Sequence, residues 1–181
     1  MMGLVNNALR SLVIERKGEQ SWAQVRKRAG LPADGTFVSM EPYPDACSYA
    51  LVGAASEELG MPAGGLLRAL GEHWIEFAAA NGFEVLLARE QSFEEFLRGL
   101  NSLHARVSLS YPQLQPPSFR VTREESGALL LHYASHRPGL QELVIGLLYG
   151  LARRFNVQAT VELVATCDQQ AGQAVFRVQL S

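Results

Sequence analysis

The chain has 181 residues, of which 48% are hydrophobic and 19% charged, a composition typical of a globular protein and not of a disordered one. Its 16 basic residues oppose 18 acidic residues, and the formal net charge is −2. This balance excludes a nucleic-acid binder that works through bulk positive charge.

Cys47 and Cys167 are the two cysteines, and they form neither a CxxC motif nor a zinc-finger spacing. Two cysteines cannot supply a disulfide framework, so we expect reduced thiols. The first 14 residues lack the continuous apolar core of a signal peptide. The most apolar stretch, 143–152, is too short to cross a bilayer. We therefore expect a cytoplasmic protein with no membrane partner.

The first half of the chain has the period of helices. Apolar residues recur at three- and four-residue spacing from position 5 to 13, and a second helix is expected after Ser21 as its N-cap. Further helices are predicted near 48–59 and from Pro62 to Gly82. Ser92 and Glu95 fit a capping box that opens another helix.

The second half changes period after a proline-rich connector, 111–117. Strands are predicted at 118–122 and 128–135, then a helix at 140–155, then strands at 157–165 and 174–180. Helices followed by a mixed helix-and-strand part indicate an α+β arrangement.

His104 is the unusual one of the four histidines, because the helical period places it on an apolar stripe close to Leu97 and Leu100. An imidazole pointed into an apolar layer needs a partner for its nitrogens. One interpretation is a core histidine bonded to a backbone carbonyl group. The other is a metal ligand, and since no second ligand lies three or four residues away, a macrocycle such as haem must supply the other donors.

The stretch 131–137 carries three hydrogen-bond donors in a row. Strand period places Leu131, Tyr133, Ser135 and Arg137 on one face, which begins apolar and ends in a phenol, a hydroxyl and a guanidinium group. Because guanidinium groups bind carboxylates bidentately, this face suits an apolar ligand with carboxylates at one edge, such as haem. A half-exposed strand with ordinary polar residues is the alternative.

In combination these motifs resemble the H-NOX family of haem domains, which bind nitric oxide or oxygen, and the haem domain of the soluble guanylate cyclase beta subunit. The resemblance covers essentially the whole chain. It rests on Gly3-Leu-Val-Asn6, Leu51-Val-Gly-Ala-Ala-Ser56, Leu70-Gly71, Leu103-His104, Tyr111-Pro112, Pro117-Ser-Phe119, Tyr133-x-Ser135-x-Arg137 and Gly139-Leu-Gln141.

The resemblance implies one domain over 1–181 with haem between two lobes. A helical N-terminal lobe, about 1–62, is expected to pack on a haem-ligating lobe, about 63–181, with helices and a four-stranded antiparallel sheet. It also implies non-covalent haem b with His104 as the proximal iron ligand. Tyr133, Ser135 and Arg137 are then expected to hold the propionates, and Pro117 to press on the porphyrin face.

The resemblance further implies a distal pocket, with one departure from the oxygen-binding members. Those members carry a tyrosine shortly after the signature arginine, and Leu143 stands at the matching position. Because bound oxygen gains from a nearby donor, we expect nitric oxide and carbon monoxide to bind and oxygen to bind weakly. Trp74 is expected to fill the pocket. The other predicted pocket residues are Val5, Ala78 and Leu147.

The function implied by the resemblance is that of a stand-alone gas sensor, not an enzyme. It signals through breakage of the iron–His104 bond to a separate partner, expected to be a histidine kinase or a cyclic-di-GMP enzyme, and it has no nucleic-acid partner. The main alternative is a carrier of an apolar carboxylate, which needs Arg137 but not His104.

Two further alternatives are a hydrolase and a thiol switch. A hydrolase using Ser135 with His132 or His136 lacks the GxSxG motif, and adjacent strand residues point to opposite faces. Nothing in the sequence around Cys47 or Cys167 predicts a lowered thiol pKa.

Overall fold

The computed structural model describes residues 1–32, 35–87, 92–166 and 172–181. The helices in these ranges are α1 (Gly3–Lys17), α2 (Glu19–Arg28), α3 (Asp45–Leu59), α4 (Ala63–Ala78), α5 (Glu84–Leu87), α6 (Phe93–Ser110) and α7 (Gln141–Arg154). A π-helical turn, Ala79–Phe83, joins α4 to α5, so α4 ends before the predicted Gly82. None of the helices in the described ranges is long and apolar enough to span a membrane.

Four strands form one antiparallel sheet. They are β1 (Ser118–Arg123), β2 (Leu129–Ala134), β3 (Ala159–Thr166) and β4 (Gln173–Leu180). The order across the sheet is β1-β2-β4-β3, so the last strand lies between the second and the third. Tyr133 is paired with Phe119 on one side and Ala174 on the other. The predicted α+β fold with a four-stranded antiparallel sheet is confirmed.

Of the two predicted side-chain caps, one is correct and one is wrong. The Ser92 hydroxyl accepts a hydrogen bond from the Glu95 amide at 3.2 Å and begins α6 as predicted. Ser21 lies inside α2, where its hydroxyl donates to the Lys17 carbonyl oxygen at 3.2 Å. Gly18, at φ 85°, separates α1 from α2 instead, because glycine adopts this left-handed geometry without steric cost.

Two hydrophobic cores meet at α4. The N-terminal core is formed by α1, α2 and α3 together with Leu66 and Leu70 of α4. The C-terminal core is formed by the inner face of the sheet, α6 and α7, together with Ile75 and Ala78 of α4. Trp74 packs against both cores. A single helix therefore connects the packing of the two parts of the fold.

Glycines allow α4 and α7 to cross at very short range. A Cβ at Gly71 would overlap the carbonyl oxygen of Leu143, and a Cβ at Gly146 would overlap the carbonyl oxygen of Arg68. Only residues without side chains permit the two backbones to approach this closely. The crossing holds the helix that carries Trp74 against the helix that carries Leu143.

Candidate haem site

The three predicted propionate-binding residues lie at the end of β2 and in the loop that follows it. β2 ends at Ala134, one residue earlier than predicted, so the period-two argument holds only as far as Tyr133. The loop is ordered by hydrogen bonds: the Ser135 amide donates to the Gly172 carbonyl oxygen at 3.0 Å, and the Arg137 amide donates to the Ser135 hydroxyl at 3.1 Å. The structure thus brings the three residues together through a turn and not through one strand face.

The environment of Tyr133 is apolar apart from this loop. Its side chain is 4% exposed, and its ring lies 5.6 Å from the Phe119 ring between centroids. Burial raises the pKa of the Tyr133 phenol, while the Ser135 hydroxyl and the Arg137 charge oppose the shift. The phenol therefore stays protonated near neutral pH and can donate a hydrogen bond.

Arg137 is held by a carboxylate from the N-terminal part of the fold. Its Nε lies 3.0 and 2.9 Å from the two carboxylate oxygens of Asp45, at the start of α3, and its Nη1 donates to the Gln115 carbonyl oxygen at 2.9 Å. Burial raises the pKa of Asp45, but hydrogen bonds from the Met1 ammonium group and from Arg137 outweigh it, so that pKa lies below its usual value. The guanidinium group is already bound to one carboxylate.

His104 lies on α6 with a buried nitrogen that has no partner. Its Nδ1 is out of contact with solvent and makes no hydrogen bond. Burial lowers the pKa of the imidazole, and a hydrogen bond from the ring to the backbone carbonyl oxygen of Pro117 offsets part of this shift. The imidazole is therefore neutral at pH 7, the form that ligates a metal.

Pro117 and Phe119 lie on the same side of the site as His104. The Phe119 ring centroid is 5.9 Å from that of His104. Pro117 precedes β1 directly and is half-buried. The structure thus places the predicted porphyrin-contacting proline beside the predicted iron ligand.

Two of the five predicted distal residues share one pocket. Val5 and Leu143 line a narrow apolar pocket between α1, α3, α4 and α7. Its other lining residues are Met1, Asn6, Leu9, Ser48, Tyr49, Val52, Leu67, Leu70 and Leu140. Ala78 is instead buried in the C-terminal core, and Trp74 and Leu147 pack against that core.

The hydrolase and thiol alternatives gain no support from the geometry. His132 Nε2 lies 3.0 Å from the Thr122 hydroxyl, on the face of the sheet opposite Tyr133, and His136 is exposed. The Ser135 hydroxyl accepts a hydrogen bond from the Arg137 amide and not from either histidine. Cys47 is a half-buried free thiol. Cys167 lies outside the described residues.

The sequence analysis missed two polar contacts near the site. Asp45 is the partner of Arg137, yet the two residues are 92 positions apart, so no local pattern indicates the pair. Asn6 is 1% exposed, and its Oδ1 accepts from the Ser48 hydroxyl at 2.7 Å while its Nδ2 is buried without a partner. A polar residue on the apolar stripe of α1 is the signal that could have indicated Asn6.

The residues present fit a haem. A half-buried neutral imidazole with one buried, unpaired nitrogen, an apolar surround and a group of phenol, hydroxyl and guanidinium donors match an apolar macrocycle with two carboxylates. Within the described ranges, no three His, Cys, Asp or Glu side chains gather into a site that could hold a metal ion. His104 is the residue of this site that could bind iron.

Solved structures share the fold. An H-NOX protein from S. oneidensis in the Fe(II)NO ligation state is similar with a TM-score of 0.89 and 21% identity, covering 100% of this chain and 99% of that one. The unliganded Fe(II) H-NOX protein from K. algicida gives 0.86 and 21%, covering 100% and 97%. An oxygen-binding H-NOX domain related to soluble guanylate cyclases gives 0.82 and 18%, covering 100% and 95%.

Sequence comparisons identify the family. The chain is similar to soluble guanylate cyclase gcy-31 of Caenorhabditis elegans, with 30% identity over 166 residues, covering 91% of this chain and 24% of that protein. Guanylate cyclase soluble subunit beta-2 of Rattus norvegicus is 36% identical over 91 residues, 50% of this chain and 13% of that protein. The chain thus spans a quarter or less of these relatives. A family model described as Haem-NO-binding matches residues 2–163, and the chain therefore belongs to the Haem-NO-binding, or H-NOX, family of haem sensor domains.

Proposed function

We propose that this domain senses nitric oxide through a bound haem and transmits the signal to a separate protein. The observation that carries the proposal is the half-buried imidazole of His104 beside Pro117, whose buried Nδ1 has no partner, in a chain of the Haem-NO-binding family. Buried polar atoms usually have a partner in the protein. The unpaired Nδ1 of His104 is therefore available to a ligand. His73 also has an unpaired buried nitrogen, so the assignment depends on the position of His104 beside Pro117 and on the family.

The proposed cofactor is haem b, held without covalent bonds. When bound, ferrous haem would bind diatomic gases at its iron. His104 would ligate the iron through an imidazole nitrogen, and Pro117 would pack on the porphyrin face. Tyr133, Ser135 and Arg137 would donate hydrogen bonds to the propionates.

Arg137 plays two roles in this proposal. Its guanidinium group presents five N–H donors, and Asp45 and Gln115 take up Nε and Nη1. A propionate therefore either shares the guanidinium group with Asp45 or displaces it. In both cases haem binding acts on a contact that links α3 to the loop after β2.

The proposed ligands are nitric oxide and carbon monoxide, with weak oxygen binding. Leu143, at the position of the distal tyrosine of oxygen-binding members, offers no hydrogen-bond donor. A hydrogen bond to a charged group is worth about 1.5–3 kcal/mol, and its loss costs roughly ten- to a hundredfold in oxygen affinity. Val5, Trp74, Ala78 and Leu147 are proposed to shape the distal side.

The proposed signal starts at His104. Release of His104 on nitric oxide binding would free α6 from one of its constraints and would change the balance between two arrangements of the fold. The domain itself is proposed to be non-enzymatic and cytoplasmic, and to regulate a histidine kinase or a cyclic-di-GMP enzyme in trans. No nucleic-acid partner is proposed.

Absorption spectra of the dithionite-reduced protein test the proposal. A five-coordinate ferrous histidine spectrum that changes to a five-coordinate nitrosyl spectrum is expected on addition of nitric oxide. A six-coordinate nitrosyl would retain the haem site but contradict release of His104. Absence of a Soret band after haem is added would overturn the proposal.

Variants of two separate histidines provide the matched comparison. His104→Gly removes the proposed ligand and is expected to lose the five-coordinate histidine spectrum. His73, on α4, also has a buried nitrogen without a partner and a pKa lowered by burial, and His73→Gln is expected to leave the spectrum unchanged. A carrier of apolar carboxylates would keep its ligand in both variants.

A further inference from the structure

Asn101 holds the turn of α6 that carries His104 against the start of β1. Its side-chain amide pairs with both backbone groups of Phe119: Nδ2 donates to the Phe119 carbonyl oxygen at 2.6 Å, and Oδ1 accepts from the Phe119 amide at 2.9 Å. Asn101 precedes His104 by three residues, so the two side chains lie on adjacent turns of the same helix face. The amide pair thus fixes the position of this face.

The Asn101 side chain takes the place of a neighbouring strand at the open edge of β1. β1 is an edge strand whose single neighbour in the sheet is β2, and the backbone groups of Phe119 that bind Asn101 point away from that neighbour. A primary amide has an N–H and a carbonyl oxygen side by side, so it can pair with both backbone groups of one strand residue, as a residue of a neighbouring antiparallel strand would. α6 is therefore joined to the sheet edge at this residue.

The residues that Asn101 holds in place surround the imidazole. The Phe119 ring lies 5.9 Å from the His104 ring between centroids, and the backbone of Pro117, two residues earlier, contacts His104. Loss of the Asn101 pair would let α6 move relative to both residues. The position and tilt of the imidazole relative to Pro117 and Phe119 would then change.

We propose that Asn101 is a positioning residue for His104, and that its pairing with Phe119 sets how strongly the imidazole binds the haem iron. The inference rests on the proposed haem site. Two hydrogen bonds with one backbone residue hold the helix that carries the ligand, and they oppose its displacement when the ligand is released. Asn101 itself does not touch the cofactor in this proposal.

Asn101→Ala in the haem-loaded protein tests the inference. The iron–histidine stretching frequency of the ferrous protein is expected to fall, and haem transfer to excess apomyoglobin to become about tenfold faster, the factor for loss of one to two net hydrogen bonds. If Asn101→Ala does not fold, Asn101→Asp keeps the acceptor for the Phe119 amide and loses the donor. A smaller shift in the same direction is then expected.

Arg98→Ala is the matched control. Arg98 also joins α6 to β1, donating to the Val121 carbonyl oxygen at 3.2 Å, but it lies farther from His104 along the helix. This variant is expected to keep the wild-type stretching frequency. An Asn101→Ala protein with the wild-type frequency and haem loss within twofold of wild type would overturn the inference, as would an equal shift in Arg98→Ala. A wild-type protein without an iron–histidine band would instead contradict the proposed function.

Discussion

Arg137 donates its single Nε–H to both carboxylate oxygens of Asp45, at 3.0 and 2.9 Å, in a bifurcated hydrogen bond. The pair joins α3 in the N-terminal part of the fold to the loop that carries Ser135. Side-chain exposure is 16% for Arg137 and 35% for Asp45, so solvent screens the pair in part. The residue proposed to bind a propionate is thus also a link between the two parts of the fold.

Asp45→Asn removes the charge that binds both Arg137 and the Met1 ammonium group. It is expected to lower the free energy of unfolding of the haem-free protein by about 0.5–1 kcal/mol, the range for partly exposed ion pairs. Urea denaturation measures the change. Glu19→Gln, which removes the more exposed partner of Arg10, is expected to have a smaller effect. Equal losses in the two variants would contradict the prediction that the Asp45 contacts stabilise the fold more than an exposed pair does.

The stability of the haem-free protein is expected to fall as the pH is lowered below about 6.5. Burial lowers the pKa of His73 and outweighs the Glu15 and Glu76 carboxylates that raise it, so the folded-state pKa lies below the unfolded one. The stabilising contribution is present above the unfolded pKa and is lost as the pH falls through the folded pKa. His73→Gln should therefore lose less stability than wild type between pH 7.5 and 5.5, as measured by urea denaturation. Parallel curves for the two proteins would contradict the prediction.

Gly172→Ala is expected to weaken haem binding. Gly172 has φ 96°, and a Cβ there would overlap the Ser135 carbonyl oxygen, so the loop that carries Ser135 and Arg137 must shift. Gly127→Ala is the control: its φ is 88°, but nothing lies within 4 Å of the added Cβ. Both variants should lose about 1 kcal/mol of stability from backbone strain, and Gly172→Ala should lose more because its Cβ also overlaps the backbone. Faster haem loss is expected in Gly172→Ala alone, and equal haem loss in both would show that the Ser135 contact is unimportant.

Gly71→Ala is expected to destabilise the protein by about 1–3 kcal/mol, because the added methyl group would overlap the backbone of α7. Gly65→Ala on the same helix meets only the Met61 methyl group at 4.0 Å. That control should be neutral or stabilising by up to about 1 kcal/mol. Thermal unfolding of both variants measures the difference, and a Gly71→Ala protein as stable as Gly65→Ala would refute the close crossing.

Leu143→Tyr is expected to raise oxygen affinity by roughly ten- to a hundredfold, because the phenol adds a hydrogen-bond donor. Leu143→Phe adds the same ring without the hydroxyl group and is expected to bind oxygen no better than wild type. Oxygen titration of the ferrous proteins measures both. Similar affinities for Tyr and Phe would mean that a donor at this position does not control oxygen binding.

Local features of the fold could be predicted from the sequence, and long-range contacts could not. The cap at Ser92 depends on a residue three positions away, and the period of the strands indicated the sheet. Gly18, and not Ser21, lies at the start of α2, because the end of α1 needs a residue with positive φ at this position. This requirement comes from the neighbouring helix and is not visible in the sequence of α2.

The candidate site shows the same division. His104 is a local signal in the sequence, because it is a single polar residue on an apolar stripe, but the stripe alone leaves a core histidine and a metal ligand open. The resemblance to the family implies the iron ligand, and the buried, unpaired Nδ1 is compatible with that role. Asp45 and Asn101 were missed because their partners, Arg137 and Phe119, are distant in sequence and become neighbours only through the packing of α3 and α6. Such pairs form only when the intervening chain has folded, so no local pattern in the sequence indicates them.

The shared helix α4 has a consequence for how such a domain can be divided. A cut near residue 62 leaves the first fragment without Leu66 and Leu70, which fill its core, and leaves those side chains uncovered on the second fragment. Neither fragment then buries enough apolar surface to fold by itself. Recombination between family members is therefore expected to yield folded chimaeras only where α4 and the elements that pack on both of its sides come from the same parent. The whole domain is then the unit that can be exchanged.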